Sequence, residues 1–426
     1  MKQSGVEWIG KIPEDWKVYR NKNAFICNKE IVGKNSNSTQ LLSLTTGGIK
    51  CKDINNAEGK LPESFDTYQY VKKNDVVMCL FDLDMSAVFS GISQYDGMIS
   101  PAYKVLSCQD RANPIFVHYW FSYIFDGRKF NHYAKNIRYT LNYDEFATLP
   151  ILLPPKETQQ CIASYLDKKC NKIEETIQNQ QQVIEKLKAY KQSLITEAVT
   201  GKVKIANGKA CGEYESYKDS GVEWIGKIPS EWEVKKLKFS SQIMRGLFSH
   251  RPRNDPDYYD GVHPFIQTGE VARAVKYITT YSQTLNELGF SVSREFPAGT
   301  VLLTIAANVG DVAILDFNAC FPDSVIGFYP KENVSKIFMF YVLKSMKEQF
   351  MRNAIISTQM NLNINIVKEE FIPLPSLAEQ KEIVKFLEKK SDYIDTAIEQ
   401  KQNLIEKLTE YKKSLIYECV TGKKEI

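Results

Sequence analysis

Two blocks of this 426-residue sequence are written twice. Ser4–Trp16 (SGVEWIGKIPEDW) returns at Ser220–Trp232 as SGVEWIGKIPSEW, with eleven of thirteen positions identical at an offset of 216. Glu185–Lys202 (EKLKAYKQSLITEAVTGK) returns at Glu406–Lys423 as EKLTEYKKSLIYECVTGK, with thirteen of eighteen identical at an offset of 221. The near-equal offsets give both halves one order: a short Trp-bearing block, about 140 residues that look unrelated between halves, and a shared C-terminal block. Such a unit is far longer than the roughly 20–50 residues of a solenoid repeat. Two blocks kept alike imply one job done twice. Two variable parts in the same frame imply the same kind of job on different targets.

The shared C-terminal block predicts a long helix in each half. Neither Lys156–Thr200 nor Leu377–Thr421 contains Pro or Gly, Pro154-Pro155 and Pro375 precede them, and Gly201 and Gly422 are placed for left-handed C-terminal caps. Forty-odd residues make a rod of about 65 Å, longer than a 140-residue domain is wide. Apolar positions alternate by three and four: Ile162, Leu166, Ile173, Ile177, Ile184, Leu187, Leu194 and Ala198, then Ile383, Leu387, Ile394, Ile398, Ile405, Leu408, Leu415 and Cys419. That is a coiled-coil seam, weighed against two long core helices of a bundle. Gln180 and Lys401, and Lys191 and Lys412, interrupt the seams at matching places and are expected to set register. The second variable part starts where the first helix ends, so the helices can pair only antiparallel, with a pseudo-twofold axis between them and the variable domains at opposite ends.

Each variable part is expected to be an α+β domain. Val301–Leu315 predicts a hairpin turning at Asn308–Asp311, with Asp75–Phe81 as its counterpart, and Ile115–Phe125 and Ile337–Phe350 predict aromatic-rich amphipathic helices. The expected organisation is a recognition domain with its Trp-rich arm (1–153), a long helix (154–203), a linker (204–219), a second such domain (220–374) and a second long helix (375–426).

Chemistry of the catalytic kind is scarce. Gly5–Lys11 and Gly221–Lys227 fit a G-x4-G-K spacing, but Ile follows the Lys, so no hydroxyl is available for magnesium, and no strand leads in. A packed arm anchored by Trp8 and Trp224 explains the block better. His118, His132, His250 and His263 have no ligand spacing, Asp82 and Asp84 fit a loop, and no metal site is expected. Nine scattered cysteines without a CxxC predict reduced thiols and a cytoplasmic protein. No run of about 18 apolar residues predicts a membrane span, and MKQSGVEWIG lacks a signal peptide's apolar stretch.

Polar clusters point toward nucleic acid. The net charge of +4 excludes a polybasic binder, so local clustering has to carry any DNA contact. Arg245, His250, Arg251 and Arg253 fall within nine residues, where guanidinium forks can hold phosphates or reach guanine. Gln359, Asn361 and Asn363 can pair with adenine, Arg138, Tyr139, Thr140 and Asn142 occupy the matching place in the first half, and Asn308 in the hairpin turn is a further candidate for DNA contact. In both halves the stretch lies shortly before the proline that opens the long helix.

Taken together, SGVEWIGKIP twice, the helix starts LPPKETQQ at Leu153 and LPSLAEQK at Leu374, and long helices ending SLIxExVTGK resemble the specificity subunits of type I DNA restriction–modification systems. The first start departs slightly, with Thr158-Gln159 where the second has Glu379-Gln380. The resemblance spans nearly the whole chain. It implies a non-catalytic subunit with two target recognition domains, each reading one half of a bipartite, asymmetric duplex DNA site. It implies that the helix pair, with seam residues Ile173, Ile177, Ile184, Leu187, Leu194, Ile394, Ile398, Ile405, Leu408 and Leu415, sets the spacer. It implies two modification subunits carrying S-adenosylmethionine that methylate adenine, and two restriction subunits using ATP and magnesium that can join them. No cofactor is expected on this chain, which would work in the cytoplasm, with the nucleoid through DNA. The competing expectation is a non-catalytic coiled-coil scaffold holding two protein ligands.

Overall fold

The apolar run in each variable part is continuous because its strands bury both faces. In the first domain Val76 and Met78 face one cluster with Leu106, while Val77 faces another with Val105. In the second, Val301 and Leu303 face one cluster and Leu302 the other. The computed structural model describes residues 1–53, 62–134, 139–356 and 360–426. The chain divides into two compact units, residues 1–181 with 401–426, and residues 182–400. The unit boundaries fall inside the two long helices, so each helix contributes to both units.

The first unit is built on β1 (Phe25–Asn28), β2 (Val76–Met78), β3 (Ser90–Ile92) and β4 (Lys104–Cys108), ordered β1-β4-β2-β3. Helix α1 (Pro114–Asp126) buries Phe116, Trp120 and Phe121 against it, and a short α2 (Tyr143–Thr148) follows. The second unit repeats the plan with β5 (Ser241–Arg245), β6 (Val301–Thr304), β7 (Val312–Leu315) and β8 (Val325–Pro330), ordered β5-β8-β6-β7, extended by Tyr277–Ile278. The expected hairpin is the β6–β7 pair, with Val301 opposite Ile314 and Leu303 opposite Val312. The expected single helix over 337–350 is two, α3 (Lys336–Ser345) and α4 (Lys347–Asn353), broken at Met346 where ψ swings to 4°. A further short helix, α5 (Ile364–Glu369), matches α2.

The long helices run Lys156–Val199 and Leu377–Val420. Of the seam positions, Ile173, Ile184, Ile394, Ile405 and Leu415 are buried, and Ile177, Leu187, Leu194, Ile398 and Leu408 half-buried. Polar contacts fix the register. In the first unit Lys412 pairs with Glu174, and Lys401 Nζ donates to Gln180 Oε1 at 3.1 Å. In the second, Lys191 pairs with Asp395 at 2.6 Å. Within each unit one residue number falls as the other rises toward the cap, so the segments are antiparallel, and the four polar interruptions cross the seam. The helix ends are not a free two-stranded coil. Ile162, Leu166, Cys170, Ile416 and Cys419 join the core of the first domain, and Ile195, Ala198, Ile383, Phe386 and Leu387 that of the second. The bundle expectation thus describes the ends.

The two repeated blocks recur together because they pack on each other. Gly201 and Gly422 adopt φ +71° and +70°, and Lys202 N and Lys423 N bond back to Glu197 O (3.0 Å) and Glu418 O (2.8 Å), a Schellman cap in each case. A Cβ on Gly201 would run into Pro229, and one on Gly422 into Pro13. Trp232 and Trp16, both nearly fully buried, close over the same caps. Trp8 packs 5.9 Å from Trp120 and donates to the Tyr133 hydroxyl, an anchor of the expected kind.

Candidate nucleic-acid interface

In the second unit, strand register gathers four segments at one end of the sheet. Arg245, the last residue of β5, stands opposite Ile326 on β8, and Leu303 of β6 stands opposite the same residue. Beyond them Gly246 N donates to Val325 O (2.9 Å) and Ile305 N to Ser324 O (2.9 Å). Leu362 N then donates to Ile305 O at 2.7 Å, which docks the 360–363 stretch beside the β6–β7 turn. The arginine loop, the Asn308 turn and Asn361 therefore share one end.

The turn itself is tightly held. Ala307 takes φ +63°, a left-handed conformation that costs a non-glycine residue, and Gly310 takes +91°. The Thr304 hydroxyl donates to Asn308 O, Gly310 N donates to Thr304 O at 3.0 Å, and Lys347 at the start of α4 grips Asp311 at 2.6 Å. Asn308 and Asn361 are exposed. Asn363 also caps a helix. It is the N-cap of α5, with its side-chain oxygen accepting from Asn365 N at 2.9 Å.

The arginine loop is folded on itself. Arg253 pairs with Asp323, Arg251 Nη2 lies 3.5 Å from the same carboxylate, and Arg245 Nε donates to Asp323 O at 2.5 Å. Arg251 also donates to Phe248 O and His250 O. His250 is half-buried, 2.9 Å from Asp255 and stacked on Tyr258 with ring centres 3.8 Å apart. The arginines face outward, and the histidine braces the loop.

The first unit assembles the equivalent end from different side chains. Leu141 N donates to Leu80 O at 2.7 Å, the counterpart of the Leu362–Ile305 bond, and Leu83 N donates to Tyr139 O at 3.3 Å. Asp82 N donates to Thr140 Oγ1 at 3.4 Å. Asp82 has φ +50°, as Ala307 has in the other unit, and Tyr139 has +46°. A cation again secures the turn: Arg128, after α1, donates to Leu83 O and lies 4.3 Å over the Phe125 ring. Asn142 is the N-cap of α2 in a full capping box with Glu145. Lys104 begins β4 and Lys29 follows β1, and both lower the Cys27 thiol against the burial that raises it. These two lysines, Arg294 and Asp323 were missed in the sequence because only strand register brings them here. Arg294 Nη1 donates to Arg245 O at 3.1 Å. The candidates Arg138 and Gln359 lie outside the described residues.

Among the described residues no group of three or more His, Cys, Asp or Glu is placed to hold a metal ion, and no helix is long and apolar enough to cross a membrane. The cysteines are free thiols, and burial pushes those of Cys108, Cys320 and Cys419 up to about 12, which keeps them unreactive.

Comparison with known proteins gives a consistent set of likenesses. Residues 229–408 match the family model of the type I restriction modification DNA specificity domain. The MjaX type I restriction enzyme specificity subunit of Methanocaldococcus jannaschii is 25% identical over 405 residues, 91% of this chain and 89% of its own length. The MjaIX specificity subunit of the same organism is 32% identical over 180 residues, 41% of this chain and 40% of that one. The EcoBI specificity subunit of Escherichia coli is 25% identical over 253 residues, 57% of this chain and 52% of that one. Among solved structures, a chain from work on complex assembly and conformational transition of the type I R-M system superposes with a TM-score of 0.72 at 14% identity, covering 96% of this chain and 98% of that one. The HsdS subunit of Thermoanaerobacter tengcongensis gives 0.52 at 16% identity, with both chains covered in full. At these identities the two structures establish likeness of fold.

Proposed function

We propose that this chain, similar to specificity subunits of type I restriction–modification systems over most of its length, is such a non-catalytic DNA-recognition subunit and reads a bipartite, asymmetric DNA site with one half-site per unit. The observation that carries the reading is the repeated construction of one sheet end. In each unit a turn with a left-handed residue follows the second strand of the sheet, a cation holds the turn, and a polar stretch hydrogen-bonds beside it. The scaffold is constant and the presented side chains differ, as two readers of different sequences require. The first unit presents Tyr139 and Thr140 with Lys29 and Lys104 nearby. The second presents Arg245, Arg251, Arg253, Asn308 and Asn361. Arginine and asparagine suit phosphate, guanine and adenine. Arg138 and Gln359 belong to the same stretches by sequence.

The helix pair sets the spacer in this proposal, since its register is locked by the Lys401–Gln180, Lys412–Glu174 and Lys191–Asp395 contacts. Two modification subunits dock on the outward helix faces. The repeat supports two equivalent sites: Tyr190 and Tyr411 occupy matching positions and are 53% and 51% exposed. S-adenosylmethionine belongs to those partners, and ATP and magnesium to restriction subunits that join through them. The complex works in the cytoplasm, on duplex DNA.

The test is a genome-wide methylation map of cells with and without this chain. One bipartite adenine-methylated motif should vanish when the chain is removed and return on complementation. A map that does not change refutes the proposal.

A further inference from the structure

In the second unit one carboxylate is held in the manner of a bound oxyanion. Asp323 lies in the loop leading into β8, with its side chain 31% exposed. One oxygen pairs with Arg253 Nη2, the other lies 3.5 Å from Arg251 Nη2, and its backbone carbonyl accepts from Arg245 Nε at 2.5 Å. Arg294 Nη1 reaches Arg245 O at 3.1 Å. Two guanidinium groups thus hold the carboxylate and a third holds the backbone carbonyl of the same residue, while Arg251 and Arg253 remain 52% and 47% exposed. Guanidinium forks match carboxylate and phosphate with the same geometry.

We propose that Asp323 is a built-in phosphate surrogate, which a backbone phosphate of the second half-site replaces between Arg251 and Arg253. The inference rests on the DNA-reading role of this sheet end and adds an affinity-setting residue to it. Without an anion, the arginines repel one another and splay. With Asp323 present they are held in one arrangement, and the patch is weaker by one charge. A non-cognate duplex must then displace the carboxylate without the base contacts that offset the exchange, whereas a cognate half-site supplies them. Asp323 therefore lowers affinity for any duplex by a similar factor, so that firm binding requires the base contacts of a cognate half-site.

The experiment uses the full chain assembled with its modification subunits. Anisotropy titrations compare a duplex carrying the methylated motif with one of equal length in which the motif is scrambled, from 50 to 200 mM salt. Removing one like charge beside a phosphate in a partly exposed site is worth about a fivefold change in affinity. Asp323→Asn should bind both duplexes about fivefold more tightly at low salt, with the gain shrinking toward 200 mM as the removed charge is screened. Asp323→Glu keeps the charge and should retain the wild-type affinity for both duplexes. Unchanged scrambled-site affinity in Asp323→Asn overturns the inference, as does weaker binding of both duplexes or an equal gain in Asp323→Glu. Arg251→Ala and Arg253→Ala separate the two levels. If neither weakens binding, the DNA-facing assignment of this end fails. If both weaken it while Asp323→Asn does nothing, only the surrogate role fails.

Discussion

Gln380 is the joint between the second long helix and the domain before it, and replacing it tests whether that joint is structural. Its side chain is fully buried. Its Oε1 accepts from Ser335 N at 2.8 Å, and its Nε2 donates to Asn333 O at 2.9 Å and Pro375 O at 3.0 Å. Ser335 is the N-cap of α3, so one amide ties the start of a core helix to the start of the long one. Gln159 does the same in the first unit, bonding Asn113 N, Arg111 O and Pro154 O, each at 2.8 Å. Gln380→Ala leaves one N–H and two carbonyls without these partners. An orphaned buried group costs about 1–3 kcal/mol, and water entering the cavity recovers part, so about 3 kcal/mol in total is expected. In a unit of about 220 residues that lowers Tm by about 6–12 °C. Differential scanning calorimetry of the full chain should show the loss in the transition of the second unit, with Gln159→Ala lowering that of the first. A shift under about 2 °C would refute the reasoning, because three buried hydrogen bonds cannot vanish at so small a cost.

Two further outcomes follow from the same geometry. Asn142→Ala and Asn363→Ala should each cost about 1 kcal/mol as lost N-caps, and Asn142→Asp and Asn363→Asp should restore that stability. If the aspartates restore stability and the methylated motif is unchanged throughout, the two asparagines are caps alone; a motif altered by Asp but not by Ala marks a base contact. Deleting one heptad from each long helix, within 180–187 and 401–408, shortens the pair by about 10 Å and should shorten the spacer by about three base pairs, read from the methylation map. An unchanged spacer contradicts the ruler.

The parts of the fold written in local pattern were legible. Lys156 and Leu377 begin the helices within a residue or two of their prolines, Gly201 and Gly422 cap them, and Val301–Leu315 is the expected hairpin. What depends on distant partners was not. A two-helix seam has no place for Ile195, Phe386 or Ile416, which are buried because the domains pack there. Asp323 is 70 residues from Arg253 in sequence, and no periodicity links them. Asn142 and Asn363, candidates for DNA contact in the sequence, also serve as N-caps. In the first case Glu145, three residues on, already spells a capping box, so that role could have been seen.

The central claim is that the two units read DNA independently, and one exchange tests it directly. Residues 17–152 are replaced by the corresponding variable segment of a relative with a different motif, and the methylation map of cells carrying the hybrid is determined. The account predicts a bipartite motif in which one half-site changes while the other half-site and the spacer stay the same. A map in which both half-sites change, or in which the original motif persists intact, contradicts it.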